Sequence, residues 1–95
     1  MSVADDEITF NLCEFVGAVI GNGNLWTDGS RFRIELTGHP KLDVNYFNYL
    51  SNLSSDLFGK KPYPLCTHER ALRWRLQSKD AFILLQSLGV PTGNG

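Results

Sequence analysis

Arg31 and Arg33 stand one residue apart, as do Arg73 and Arg75, and Gln77 continues the second series by the same step. In an extended chain, residues two apart leave the backbone on one side, so each series would present its polar ends together. A planar guanidinium pairs bidentately with phosphate or with guanine. Lys60 and Lys61 add point charges suited to phosphate contact. The same spacing also describes a plain solvated sheet face, and the residues alone leave both readings open. Other chemistry is sparse. His39 precedes a helix and His68 falls in a hairpin turn, and neither has a second ligand at metal-binding spacing. Cys13 and Cys66 make neither a disulfide framework nor a zinc site and read as small buried hydrophobes. Asp28 belongs to a turn and Glu14 to a helix cap.

The balance of charge supports a segregated surface. The chain carries a formal charge of −1, yet residues 24–37 and 60–77 hold seven cationic side chains against three acidic ones. The remainder has Lys41 and Lys79 against seven carboxylates. Ninety-five residues, 42% hydrophobic and 12% aromatic, suit one small globular domain over 1–95. The longest apolar run, Phe15 to Ile20, falls far short of the roughly 20 residues of a membrane span. Asp5, Asp6 and Glu7 replace the basic region of a secretory leader. The expectation is a cytoplasmic, reduced protein without a membrane partner. So small a core is often marginal alone, which favours self-association.

The elements that must position these residues follow from periodicity. Residues 11–21 read as a first helix, with Asn11 and Glu14 at capping-box spacing and apolar side chains all round, hence buried on every side. Gly17 and Gly21, four apart, leave a groove for another backbone. A hairpin over 24–37 turns at Asp28-Gly29, with Phe32, Ile34 and Leu36 inward and Arg31, Arg33, Glu35 and Thr37 outward. Pro40 opens a second helix and Gly59 ends it, with Leu42, Tyr46, Tyr49, Leu50, Leu53 and Leu57 at helical spacing. The second hairpin spans 61–77. Its first arm, 61–67, is an edge strand because Pro62 and Pro64 lack donors. Its second, 71–77, points Leu72, Trp74 and Leu76 inward. Ser78 caps a third helix that ends at Gly89 and Pro91, and Gly93-Asn94-Gly95 frays. The fold class is α+β, with two hairpins in one antiparallel sheet and helices on one face. Trp26 and Trp74 are read as packing residues rather than stacking platforms.

In this order, the stretch Phe15-Val16-Gly17-Ala18-Val19-Ile20-Gly21-Asn22-Gly23 resembles the LAGLIDADG motif of homing endonucleases, in the intein-type variant that ends Gly-Asp-Gly. The resemblance extends through Arg31-Phe32-Arg33-Ile34, Asp56-Leu57-Phe58-Gly59, Leu72 to Lys79 and Leu88 to Gly93, about residues 12–93. It implies an αββαββα fold with a saddle-shaped antiparallel sheet. It further implies a homodimer joined through Gly17, Gly21, Phe15 and Ala18, and double-stranded DNA held by Arg31, Arg33, Arg73, Arg75, Gln77, Lys60 and Lys61. In that family the last acid of the motif binds Mg²⁺. Here Asn22 stands in its place, and with the Gly21 main chain it could offer a metal only neutral carbonyl oxygens. The expectation is DNA binding with cleavage lost or crippled. The alternatives are an active Mg²⁺-dependent endonuclease, a half that pairs with a catalytically intact second half, and a protein-interaction domain that no longer uses DNA.

Overall fold

A hydrophobic stripe of 3.6-residue period and two series of period two account for most of the architecture. The computed structural model describes residues 3–94. The elements run α1 (Val3–Asn22), β1 (Gly23–Thr27), β2 (Phe32–Gly38), α2 (Val44–Phe58), β3 (Cys66–His68), β4 (Ala71–Gln77), α3 (Lys79–Ser87) and β5 (Thr92–Asn94). This is the expected αββαββα order with one strand added at the end. The strands form a single sheet in the order β3-β4-β2-β1-β5. β1–β2, β2–β4 and β3–β4 are antiparallel, whereas β5 runs parallel to β1 through Leu25↔Thr92, Trp26↔Gly93 and Thr27↔Asn94. The sheet is therefore mixed, not wholly antiparallel, and the Gly93-Asn94 segment expected to fray is a strand. Gly95 lies outside the described residues.

One core joins the sheet to all three helices. Leu25, Ile34, Leu36, Leu72, Trp74 and Leu76 from the strands meet Phe15 and Val19 of α1, Phe47, Leu50 and Leu53 of α2, and Ala81, Phe82 and Leu85 of α3. Trp74 is fully buried, as the period-two pattern predicts. Its ring meets that of Phe15 edge-on at 6.0 Å, and its indole Nε1 donates to Ser51 Oγ at 3.0 Å. A buried indole without such an acceptor would cost about 1–3 kcal/mol.

Element ends show where local chemistry was misjudged. α1 starts eight residues earlier than expected, so Asn11 and Glu14 lie inside the helix and form no cap. It is also not buried all round: Ile8, Phe10 and Ile20 are exposed, as are Cys13, Gly17 and Gly21. α2 starts at Val44 instead of Pro40, because residues 39–43 close a turn on His39. The His39 Nδ1 accepts the amides of Lys41 and Leu42, both at 3.1 Å, and the Asp43 carboxylate accepts the amide of His39 at 2.6 Å. Leu42 consequently points away from the core and is 79% exposed. Gly59, at φ 66°, ends α2 in the left-handed conformation as expected. Ser78 Oγ accepts from the Ala81 amide at 3.2 Å and caps α3. Gly23 sits where α1 passes into β1, and a β-carbon there would lie 2.6 Å from Leu36 Cδ2 and 3.0 Å from two backbone carbonyls. Only glycine allows that close approach.

Candidate nucleic-acid interface

The alternation that buries one side of β2 and β4 turns Arg33, Glu35 and Thr37, and Arg73, Arg75 and Gln77, to the other. Register then sets them in rows across the sheet. Trp26, Arg33 and Gln77 form one row. Asn24, Glu35 and Arg75 form the next, and Thr37, Arg73 and Cys66 the third. Paired positions on one face stand about 4.5–5.5 Å apart, so polar groups are tiled over an area comparable with a few base-pair steps.

Each guanidinium is held by neighbours. Arg33 lies 4.9 Å from the Trp26 ring centroid and forms an ion pair of 3.2 Å with Glu35. Arg75 lies over the Tyr63 ring at 5.6 Å, with Nη2 4.0 Å from Cys66 Sγ. Arg73 Nη1 donates to Thr37 Oγ1 at 3.4 Å. The Nε atoms of Arg33 and Arg73 are shielded from solvent and have no acceptor, so both guanidiniums keep an unpaired donor. Cys66 is exposed on this face and Cys13 on α1, so neither thiol is the buried hydrophobe expected. Trp26 is half-buried and serves as the floor under Arg33 rather than as core.

The remaining candidates fall at the borders. Arg31 precedes β2 and belongs to the hairpin loop, where its amide donates to Asp28 Oδ1 at 2.7 Å. The same carboxylate oxygen accepts from the Ser30 amide at 2.9 Å and the Ser30 hydroxyl at 3.0 Å. These donors, led by the Arg31 and Ser30 amides, lower the Asp28 pKa from 3.8 to about 2. Lys60 and Lys61 are exposed in the segment before β3. That segment was expected to be a strand from residue 61, but pairing as β3 begins only at Cys66. Pro62 and Pro64 remove two donors, and between them the Tyr63 amide donates to Arg75 O at 2.9 Å. Tyr63 itself was not singled out from the sequence. Its hydroxyl donates to Gln77 Oε1 at 2.7 Å, which makes it part of the polar face; its position between two prolines beside a cationic strand was the available signal.

The second feature is the outer side of α1. Phe10, Cys13, Gly17 and Ile20 recur at spacings of three and four and lie on one helix face. Nothing lies within 4 Å of a β-carbon added at Gly17 or Gly21. Phe15 belongs to the opposite, inner side, fully buried among Phe58 and Trp74, whereas Ala18, 8% exposed, lies between the two sides and lines the groove beside Gly17. A groove beside α1 is bordered by Glu14, Gly17, Asn22 and Tyr46. Burial there, and then the nearby Glu14 carboxylate, raise the Tyr46 pKa above 10.0.

Asn22 is the last residue of α1 and is exposed. Its amide supplies one neutral oxygen, and the next acid up the helix, Glu14, is about 12 Å away at 1.5 Å per residue. Among the described residues no three His, Cys, Asp or Glu side chains gather where they could hold a metal ion. A hard cation such as Mg²⁺ calls for anionic oxygen, and this donor set does not fit it. Among the described residues no helix is long and apolar enough to cross a membrane.

The fold belongs to a recognisable class. A chain from structures of mesophilic variants of the homing endonuclease I-DmoI superimposes on this one with a TM-score of 0.67, covering 86% of this chain and 50% of that one. The identity is 18%. The architecture is thus the LAGLIDADG homing-endonuclease fold that the motif residues implied, and this chain spans half the length of that neighbour. No family model matches the chain, and no curated protein matches it.

Proposed function

We propose that this chain is a double-stranded DNA-binding protein that works as a homodimer, with DNA cleavage lost or crippled at Asn22. The observation that carries the reading is the outward row structure of β2 and β4, where Arg33, Arg73, Arg75 and Gln77 share one face. A sheet ribbon of this width enters the major groove, where guanidinium and amide groups read base edges. Lys60, Lys61 and Arg31 flank the face and serve phosphate contacts. Glu35, between Arg33 and Arg75, holds down the net charge, which suits selective over indiscriminate binding because the non-specific component is electrostatic.

The outer side of α1 is the contact between subunits in this reading. Its small residues allow a close helix crossing, and its exposed Phe10 and Ile20 give such a crossing an apolar reason to form. The Asn22 oxygens of two subunits still bring no negative charge, so the reading assigns no catalytic step to a metal. The protein acts on DNA by binding inside a reducing cell compartment, where the exposed Cys13 and Cys66 stay thiols.

The test is solution mass with and without a randomised duplex pool at two salt concentrations. A dimer whose mass rises with DNA at low salt is expected. Arg73→Ala and Arg75→Ala should weaken binding and relax the base preference of the retained duplexes, whereas Lys60→Ala and Lys61→Ala should each reduce the dependence of log affinity on log salt by about one. A dimer indifferent to DNA would replace the reading with a protein-interaction domain, and a monomer would remove the α1 contact.

A further inference from the structure

Tyr63 touches both polar readers at the end of β4 without belonging to a strand. Its amide is tied to the Arg75 carbonyl at 2.9 Å, its ring underlies the Arg75 guanidinium at 5.6 Å, and its hydroxyl donates to Gln77 Oε1 at 2.7 Å. Pro62 and Pro64 fix φ on either side of it, so the ring is carried on a stiff segment. Gln77 is exposed, and a free glutamine on a surface samples many rotamers. Here one lone pair of Oε1 is taken by the phenol. The second lone pair and both Nε2 protons stay available, in a plane that the hydrogen bond sets. An oriented amide with one acceptor beside one donor matches the N6 and N7 edge of adenine in the major groove.

We propose that Tyr63 is a specificity-positioning residue: it locks the Gln77 amide in the orientation that reads adenine. The inference deepens the DNA-binding reading and rests on it. Entropy supplies the physical reason. Ordering a rotamer-rich side chain on binding costs about 0.5–1.5 kcal/mol, and Tyr63 meets that cost before DNA arrives. Arg33, directly across the sheet from Gln77, is likewise held in advance by Trp26 and Glu35. The row therefore presents two pre-set heads, one suited to adenine and one to guanine. A merely structural role for Tyr63, fastening residues 61–65 to β4, would need its ring and amide but not its hydroxyl.

The experiment uses the whole chain. Duplexes retained from a randomised pool are sequenced, and affinity is compared between the selected duplex and versions substituted one base pair at a time. Wild type is expected to prefer adenine at one step by about 5- to 150-fold, the range for a good bidentate pair. Tyr63→Phe keeps the ring under Arg75 and removes only the hydroxyl. It should reduce that preference several-fold, a far larger change than any in affinity for unselected duplex. Gln77→Ala should abolish the preference, and Gln77→Glu should move it to cytosine, whose amino group a carboxylate accepts. An undiminished adenine preference in Tyr63→Phe, or in Gln77→Ala, overturns the inference while the DNA reading stands. A wild-type protein that retains no duplex overturns both.

Discussion

Asp28 shows how much one side chain can organise. Its carboxylate gathers two amides and a hydroxyl at the tip of the first hairpin, and the Thr27 hydroxyl accepts the Gly29 amide at 3.0 Å and donates to Arg31 O at 2.7 Å. Because the folded-state pKa is depressed to about 2 against 3.8, the unfolded chain binds the proton more tightly. The contribution is present above pH 4 and is lost as pH falls toward 2. Melting curves of wild type and Asp28→Ala should therefore be separated at pH 6 and converge between pH 4 and 2. Asn22 is the other residue whose chemistry can be isolated. Asn22→Asp restores an anionic oxygen at the end of α1, and calorimetric titration should show Mg²⁺ binding in the variant and none in wild type. A flat titration for Asn22→Asp would place the metal deficit elsewhere in the chain.

Elements were legible where burial dictated pattern and illegible where it did not. β4 alternates without error and appears at its expected bounds, 71–77. α3 is announced by Ser78 and closed by Gly89, whose φ is 95°. The early start of α1 left no trace, because residues 6–10 are all exposed and no buried stripe extends into them. Apolar residues around the whole of α1 suggested complete burial, but the rest of the chain covers only one side. The exposed outer side of α1 is where the proposed self-association can be tested. Gly17→Ala separates the two sides' energetics. An added methyl meets nothing within 4 Å outside the helix backbone, so the chain should gain about 1 kcal/mol in denaturant titrations from helix propensity alone. Sedimentation of the same variant should show weaker self-association. A variant more stable and equally dimeric would remove Gly17 from the contact.

At the scale of the molecule, the polar face was readable as a set of residues and unreadable as an arrangement. Period two supplied Arg33, Arg73, Arg75 and Gln77. The pairing of β2 with β4, which puts Gln77 opposite Arg33, joins segments some forty residues apart and has no local sequence signal. β5 escaped for the same reason: Thr92-Gly93-Asn94 has weak strand propensity and finds its place only against β1. Truncation after Pro91 should lower stability by roughly 1–3 kcal/mol, at about 1 kcal/mol for each lost ladder hydrogen bond. Thermal unfolding would register that loss, and an unchanged midpoint would mean that the strand contributes no net stability.

That parallel pairing also orders events in time. Leu25 and Thr92 are 67 positions apart, so closing β1 against β5 forms the longest loop of the sheet and carries its largest entropic cost. During synthesis at about 5–20 residues per second, β1 would wait several seconds for its second neighbour, with one row of amides and carbonyls unclaimed. Through that interval the nascent chain is open to pairing with another nascent chain.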